Sequence, residues 1–219
     1  TAAIVQARDV GTYTTPEGRW MPFMVLEWLE GRSLEDLIVT ESTAGRSRFT
    51  MGEVLRLLGP VAAALDVAHS QGIAHRDVKP PNIFVLGEEP RHGVVTIKVL
   101  DFGVAKLITD NTQMKAAMAK TGTNVTSLPP QYGAPEQFSR TYGATGPWTD
   151  VFALALVAVE MLSGRPALDG DDVVQLAFAA GNPETRPTPR SFGIELGDAV
   201  EQVLRKALSV QPAARYARA

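Results

Sequence analysis

Apolar residues recur three and four positions apart over residues 51–70, and they predict a long buried helix because such positions share one helical face. Gly72 follows and is predicted to end this helix. Residues 149–162 are almost wholly apolar, which predicts a second helix that is buried on all sides. The same pattern predicts further helices at residues 171–180 and 195–209.

Short runs of β-branched and aromatic residues predict two antiparallel hairpins. The first joins residues 4–8 to residues 22–28 around a turn that contains Pro and Gly. The second joins residues 83–86 to residues 94–100 through a polar linker. The second hairpin is expected to place Asp-Phe-Gly at residues 101–103 immediately beyond a strand end.

The segments between these elements are predicted to be mainly loops. Ser33 is predicted to cap a short helix that runs to about Val39, and residues 42–47 are predicted to form a loop. Two prolines and several charges predict irregular backbone over residues 73–82. Residues 110–147 are polar and rich in Gly and Pro, and a loop of that length in a compact domain is usually functional.

The composition is that of a folded domain without a basic surplus. Of the 219 residues 45% are hydrophobic, which suffices for a core in one large or two small domains. The formal charge of -3 argues against nucleic-acid partners, and no apolar stretch is long enough to span a membrane. The absence of Cys excludes disulfides and thiolate chemistry and predicts a cytoplasmic location. Because the sequence does not begin with Met, we expect it to be an excerpt of a longer chain.

Three short motifs stand in order within the predicted loops. The sequence His-Arg-Asp-Val-Lys-Pro-Pro-Asn occupies residues 75–82, Asp-Phe-Gly occupies 101–103, and Ala-Pro-Glu occupies 134–136. A single Asp or Asn in a loop is most often a turn former, but the joint order and spacing reverse that expectation. The chain resembles the protein kinase superfamily, and Lys79, two residues after Asp77, is typical of its serine/threonine kinases. The compactness of the chain, Asn-Ile-Phe at residues 82–84 and the Gln after Ala-Pro-Glu resemble the eukaryotic-type, bacterial-like members.

The resemblance implies an α+β, protein-kinase-like fold with a mainly helical large lobe and only the last strands of the small-lobe sheet. Residues 1–27 would be a remnant of the small lobe, 28–32 the hinge and 33–219 the large lobe. No Gly-rich phosphate loop precedes residue 30, and no Lys precedes Lys79. We therefore expect these residues alone to lack appreciable kinase activity, since nothing would clamp the triphosphate from above.

The implied reaction is ATP-dependent phosphorylation of Ser or Thr hydroxyls on protein substrates, with Mg²⁺ as cofactor. By resemblance, Asp77 would accept or orient the proton of the substrate hydroxyl, and Lys79 would lie beside the transferring phosphate. Asn82 and Asp101 would bind Mg²⁺, which prefers carboxylate and amide oxygens. Phosphoryl transfer needs such residues because it depends on positioning and on neutralising phosphate charge.

The resemblance also places an adenine pocket after the first hairpin. Leu26 would be its gatekeeper, Glu27 and Leu29 would act through main-chain groups so that their side chains matter less, and Ser33 would reach the ribose. Phe84 would form the pocket floor. The alternative is an ordinary amphipathic strand end with packing residues.

Other residues are assigned structural roles. His75 is interpreted as a residue beneath Phe102 that is hydrogen-bonded within its loop, and not as a base or a metal ligand. Asp150 is either a carboxylate favoured by a helix N-terminus or, by resemblance, the residue that holds the backbone of the His-Arg-Asp loop. By resemblance, Glu136 and Arg215 form an ion pair.

One departure from the family leaves a rival function open. Pro129 stands where relatives have the Thr that contacts the catalytic loop, and Thr123, Thr126 or Ser127 would have to serve instead, or be phosphorylation sites. The rival is a pseudokinase or docking module that binds partners without phosphoryl transfer. The missing strand Lys favours this rival, whereas the intact catalytic and metal residues argue against it.

Overall fold

The computed structural model describes residues 2–18, 20–46, 48–87, 95–102 and 130–219. Strands β1 (Ala7–Thr14) and β2 (Trp20–Leu26) form an antiparallel hairpin. Strands β3 (Gly31–Ser33), β4 (Ile83–Leu86) and β5 (Thr96–Val99) form a second antiparallel sheet in that order. The helices are α1 (Leu34–Thr43), α2 (Met51–Ser70), α3 (Pro135–Phe138), α4 (Pro147–Ser163), α5 (Val173–Gly181) and α6 (Asp198–Ala207). Among these helices, none has the length and apolar character needed to cross a membrane.

Helices α2 and α4 form the centre of the core, and β5 packs against α2. Helix α2 begins at a capping box, in which Thr50 accepts the Glu53 N–H and the Glu53 carboxylate accepts the Thr50 N–H. The apolar stripe of α2 is buried, and α4 is buried on nearly every side, as its composition predicts. The buried side chains of these three elements include Val54, Leu57, Val61, Leu65, Ile97, Val99, Phe152, Leu156 and Val159.

The structure agrees with the predicted bounds of α2 and of β4 and departs from the predicted bounds of other elements. Strand β1 starts at Ala7 and runs to Thr14, because Ile4 instead makes a parallel bridge to Val99. Helix α1 continues past Val39 to Thr43, so that it includes the start of the predicted loop at 42–47. Residues 130–142 contain α3 and short 3₁₀ turns where an irregular loop was predicted.

The backbone conformation just after α2 and just after β5 positions the candidate site. Gly72 adopts a φ of 71° just beyond α2, and the chain then passes through residues 73–79 to a 3₁₀ turn at Pro80–Asn82. Strand β5 ends at Val99, which places Asp101 just outside the second sheet. Arg76 and Asp101 have φ values of 66° and 55°, a left-handed conformation that is uncommon for residues other than Gly. Arg76 immediately precedes the predicted base Asp77, and Asp101 is itself a predicted metal ligand.

Candidate active site

Asp77 lies at the centre of a small polar cluster in the loop after α2. Its Oδ2 atom forms an ion pair with Lys79 Nζ at 3.0 Å and accepts a hydrogen bond from Asn82 Nδ2 at 3.0 Å. Asn82 Nδ2 also donates to the main-chain oxygen of Asp77 at 2.8 Å. The structure therefore brings the predicted base, the predicted phosphate ligand and one predicted metal ligand together around one carboxylate.

The second oxygen of this carboxylate is in a different environment. Asp77 Oδ1 is buried and has no hydrogen-bond partner among the residues that the structure describes. A buried acceptor without a donor is unusual in folded proteins and requires an explanation. The hydroxyl group of a substrate would supply the missing donor.

The candidate metal ligands fit Mg²⁺ in their chemistry. The amide nitrogen of Asn82 faces Asp77, which directs its amide oxygen elsewhere, and Asp101 is exposed beyond β5. The described ranges contain no group of three or more His, Cys, Asp or Glu side chains that could hold a metal. A Mg²⁺ site between these two residues would therefore combine the Asp101 carboxylate with the amide oxygen of Asn82. Mg²⁺ accepts both kinds of ligand.

His75 is buried beneath the start of the Asp-Phe-Gly motif. Its Nε2 atom lies 2.8 Å from the main-chain oxygen of Leu100, and its Nδ1 atom accepts the Asp77 N–H at 3.2 Å. The ring packs edge-on against Phe102 with the ring centroids 4.9 Å apart. Because both ring nitrogens are already bonded, His75 holds the loop together and has no nitrogen left for a metal or a substrate.

Asp150, in the first turn of α4, holds the backbone of the same loop. Its carboxylate accepts the N–H groups of His75 at 2.7 Å and Arg76 at 2.6 Å. It also binds His69 Nε2 at 2.7 Å, and both side chains are fully buried. His69 was not predicted as a site residue, although it lies four residues after Leu65 and so on the buried stripe of α2.

The predicted adenine segment contains an ion pair that was not predicted. Glu27 Oε1 accepts Lys98 Nζ at 2.5 Å and the Gln6 N–H at 3.0 Å. The hydrogen bond from Lys98 holds the pKa of the Glu27 carboxyl below its usual range. This corrects the expectation that the Glu27 side chain matters little, because it ties the segment after β2 to the strand that leads to Asp101.

The other predicted adenine-site residues are placed as follows. Ser33 is the N-cap of α1: its Oγ accepts the Asp36 N–H at 3.0 Å and donates to Asp36 Oδ2 at 2.6 Å. A ribose contact would have to share that hydroxyl group. Leu26, Leu29 and Phe84 are all half-buried. Their roles in nucleotide binding stay predictions.

Glu136 and Arg215 form the predicted ion pair. Arg215 Nη1 and Nη2 donate to the two carboxylate oxygens of Glu136 at 2.8 and 2.9 Å, and both side chains are fully buried. Thr149 Oγ1 donates to Glu136 Oε1 at 2.8 Å, a contact that was not predicted from the sequence. The pair joins α3 to the C-terminal segment of the chain. The candidate residues Thr123, Thr126, Ser127 and Pro129 lie outside the described residues.

A second buried contact links the segment before α3 to α4. Tyr132 OH donates to Glu160 Oε2 at 2.6 Å. Burial raises the pKa of the Glu160 carboxyl, and burial together with the charge of Glu160 raises the pKa of the Tyr132 hydroxyl. Glu160 was predicted only as a member of an apolar helix. A single carboxylate in such a helix indicates that a polar side chain from another element pairs with it in the core.

We expect Glu160→Gln to stabilise the protein increasingly as the pH rises. A carboxyl whose pKa is higher in the folded state stabilises the fold fully below its unfolded pKa, and this contribution is lost as the pH rises through the folded pKa. The Gln side chain has no proton to lose, so it stays neutral at every pH, and it can still accept the hydrogen bond from Tyr132 OH.

Thermal unfolding between pH 4 and pH 8 measures the effect, since about 1 kcal/mol corresponds to about 2–4 °C in a domain of this size. Glu184→Gln at an exposed position is the matched control. A difference between wild type and Glu160→Gln that does not change with pH would contradict this interpretation.

Comparisons with known proteins agree with these features. The family described as the protein kinase domain matches residues 3–218. The chain is 31% identical over 215 residues to the serine/threonine-protein kinase PknB of Mycobacterium leprae, covering 98% of this chain and 31% of that relative. It is 35% identical over 197 residues to the serine/threonine-protein kinase Pkn1 of Myxococcus xanthus, covering 90% of this chain and 26% of Pkn1. The chain thus spans about a third of the length of these curated relatives.

The solved structures confirm the predicted fold. The kinase domain of Mycobacterium tuberculosis PknI, as a double mutant, superposes with a TM-score of 0.67 at 23% identity. The alignment covers 99% of this chain and 67% of that chain. At this identity the likeness concerns the fold alone, and it establishes the α+β, protein-kinase-like architecture expected from the motifs.

Proposed function

Because the chain belongs to the protein kinase family, we propose that it carries the catalytic part of a serine/threonine protein kinase, which transfers the γ-phosphoryl group of ATP to Ser or Thr hydroxyls of proteins. The observation that carries this proposal is the Asp77 cluster. One oxygen of Asp77 is held by Lys79 and Asn82, while the other is buried and has no donor within the described part of the chain. A docking module without phosphoryl transfer has no need of this arrangement.

The proposed mechanism assigns one task to each of these side chains. Asp77 Oδ1 accepts the hydrogen bond of the substrate hydroxyl and takes up its proton as the hydroxyl oxygen bonds to the γ-phosphorus of ATP. The bond between that phosphorus and the β-phosphate oxygen breaks in the same step, and ADP leaves. Lys79, 3.0 Å from Asp77 Oδ2, offsets negative charge on the transferring phosphate. Asn82 and Asp101 would hold Mg²⁺, which when bound neutralises charge on the phosphate oxygens of ATP.

The proposed nucleotide site follows the lobe division predicted from the sequence. Residues 1–27 would belong to the small lobe, residues 28–32 would form the hinge, and residues 33–219 would form the large lobe. The main-chain groups of Glu27 and Leu29 would bind adenine, with Leu26 and Phe84 as its apolar neighbours. The Glu27–Lys98 ion pair supports this proposal because it fixes the position of the segment that would bind adenine.

The proposal is tested by phosphate transfer from labelled ATP to peptides that contain Ser, Thr or Tyr, using a form of the protein with a complete small lobe. We expect label on Ser and Thr, no label on Tyr, and loss of labelling when EDTA removes Mg²⁺. Binding of Mg²⁺-ATP without any transfer would instead support the rival function of a docking module.

We expect Asp101→Ala to weaken Mg²⁺-dependent nucleotide binding while leaving the fold intact. Asp101 is exposed, so its removal disturbs no core packing, but it takes away the only carboxylate of the proposed metal site. Isothermal titration with ATP in the presence and absence of Mg²⁺ measures the loss. An affinity for Mg²⁺-ATP equal to that of the wild type would contradict the assigned role. Asp66→Asn, on the outer surface of α2, is a matched control for loss of one carboxylate charge.

A further inference from the structure

Arg76, the residue immediately before Asp77, is held in a disfavoured backbone conformation by contacts on both sides. Its φ of 66° lies in the left-handed region, where a Cβ atom crowds the backbone. Its N–H donates to Asp150 Oδ1 at 2.6 Å. Its C=O, which belongs to the peptide group that leads into Asp77, accepts a hydrogen bond from Gln137 Nε2 at 2.9 Å.

Gln137 is fixed at its other end as well. Its Oε1 atom accepts the N–H of Ala134 at 3.0 Å, so the carboxamide bridges the start of α3 and the loop that carries Asp77. Its neighbour Glu136 is anchored by the fully buried ion pair to Arg215. The backbone of Gln137 is therefore fixed, and its side chain carries that constraint to Arg76.

We propose that Gln137 is a positioning residue for phosphoryl transfer, which sets the orientation of Asp77 through the Arg76 carbonyl; this rests on the proposed function. Asp150 holds the N–H side of Arg76, and Gln137 holds the C=O side. With only one of these contacts, the peptide group between Arg76 and Asp77 can rotate toward an ordinary backbone conformation. That rotation moves the Asp77 carboxylate away from the substrate hydroxyl, and small displacements of reacting groups have large effects on rate.

The Gln137 carboxamide uses its NH₂ group as a donor on one side and its oxygen as an acceptor on the other. A substitution that removes only the donor therefore tests the proposal. Gln137→Glu keeps the length of the side chain and an oxygen that accepts from Ala134 N–H. It replaces the donor that faces the Arg76 C=O with a second carboxylate oxygen, which repels the carbonyl. Because Gln137 is only half-buried, this substitution does not create a cavity in the core. Gln202→Glu, the same chemical change on the exposed side of α6, is the matched control.

We expect Gln137→Glu to lower kcat about 10-fold or more, the size of effect that loss of one hydrogen bond and added repulsion produce. The KM for ATP should stay within about twofold, because the bridge contacts no part of the proposed nucleotide site. Lowering the pH should reduce the deficit in kcat relative to Gln202→Glu, since a protonated carboxyl again donates to the carbonyl. A kcat equal to that of Gln202→Glu would overturn the proposal, and so would a deficit that does not depend on pH.

Hydrogen exchange separates this inference from the proposed function. We expect the amides of residues 75–78 to exchange faster in Gln137→Glu than in Gln202→Glu, with melting temperatures that differ by only about 2–4 °C. If the wild type with a complete small lobe transfers no phosphate, the proposed function fails and exchange alone decides whether Gln137 holds the loop. If the wild type is active and both variants match it in kcat and in exchange, only the role of Gln137 is overturned.

Discussion

Replacing Asp77 by Asn is expected to lower phosphoryl transfer to Ser and Thr peptides by about 10²–10⁴-fold, the usual contribution of a positioned general base. The Asn amide oxygen can still accept hydrogen bonds from Lys79 and Asn82. Its NH₂ group, however, then occupies the place of Oδ1 and offers a donor where the substrate hydroxyl needs an acceptor. The chemistry is therefore lost while the shape of the cluster is kept.

Steady-state rates measure this effect in a form of the protein with a complete small lobe. Asp66→Asn is the control, because Asp66 lies on the surface of α2 in an exposed ion pair with Arg218. Thermal unfolding should be nearly the same for both variants, since neither removes core packing. An Asp77→Asn variant that keeps half of the wild-type rate would refute the assignment of Asp77 as the base.

The sequence was most informative where local signals agree. Helix α2 has the predicted bounds because its apolar stripe, the Thr50–Glu53 capping box and Gly72 all indicate the same element. Strand β1 was placed too early, because Ile4 looks like a strand residue and its partner Val99 is distant in sequence. A local sequence pattern does not predict pairing between residues that are far apart in the sequence. Such pairing becomes visible only in the folded structure.

The same distinction applies to the candidate site. Asp77, Lys79 and Asn82 were predicted together because they lie within one short motif, and the structure places them in contact. The bond between Gln137 and the Arg76 carbonyl and the ion pair between Glu27 and Lys98 each join residues more than sixty positions apart. No spacing rule connects such residues, since their contact depends on how the helices and sheets pack.

Arg215→Ala is expected to destabilise the fold by about 3–5 kcal/mol, because it leaves the Glu136 carboxylate buried without its partner. Arg215 also donates to the main-chain oxygens of Ser209, Val210 and Trp148, and its guanidinium group stacks on Phe152 at 4.6 Å. One substitution therefore removes an ion pair, several carbonyl contacts and a packing surface. Denaturant unfolding monitored by circular dichroism measures the loss.

Two further variants separate the stranded charge from the lost packing. Arg218→Ala removes an exposed arginine that pairs with Asp66 and should change stability by less than about 1 kcal/mol. Adding Glu136→Gln to Arg215→Ala should recover part of the loss, because a neutral amide is less costly to bury than an unpaired carboxylate. If Arg215→Ala were as stable as Arg218→Ala, the buried pair would contribute little. If Glu136→Gln gave no recovery, the loss would arise from the carbonyl contacts and the stacking on Phe152, and not from the buried charge.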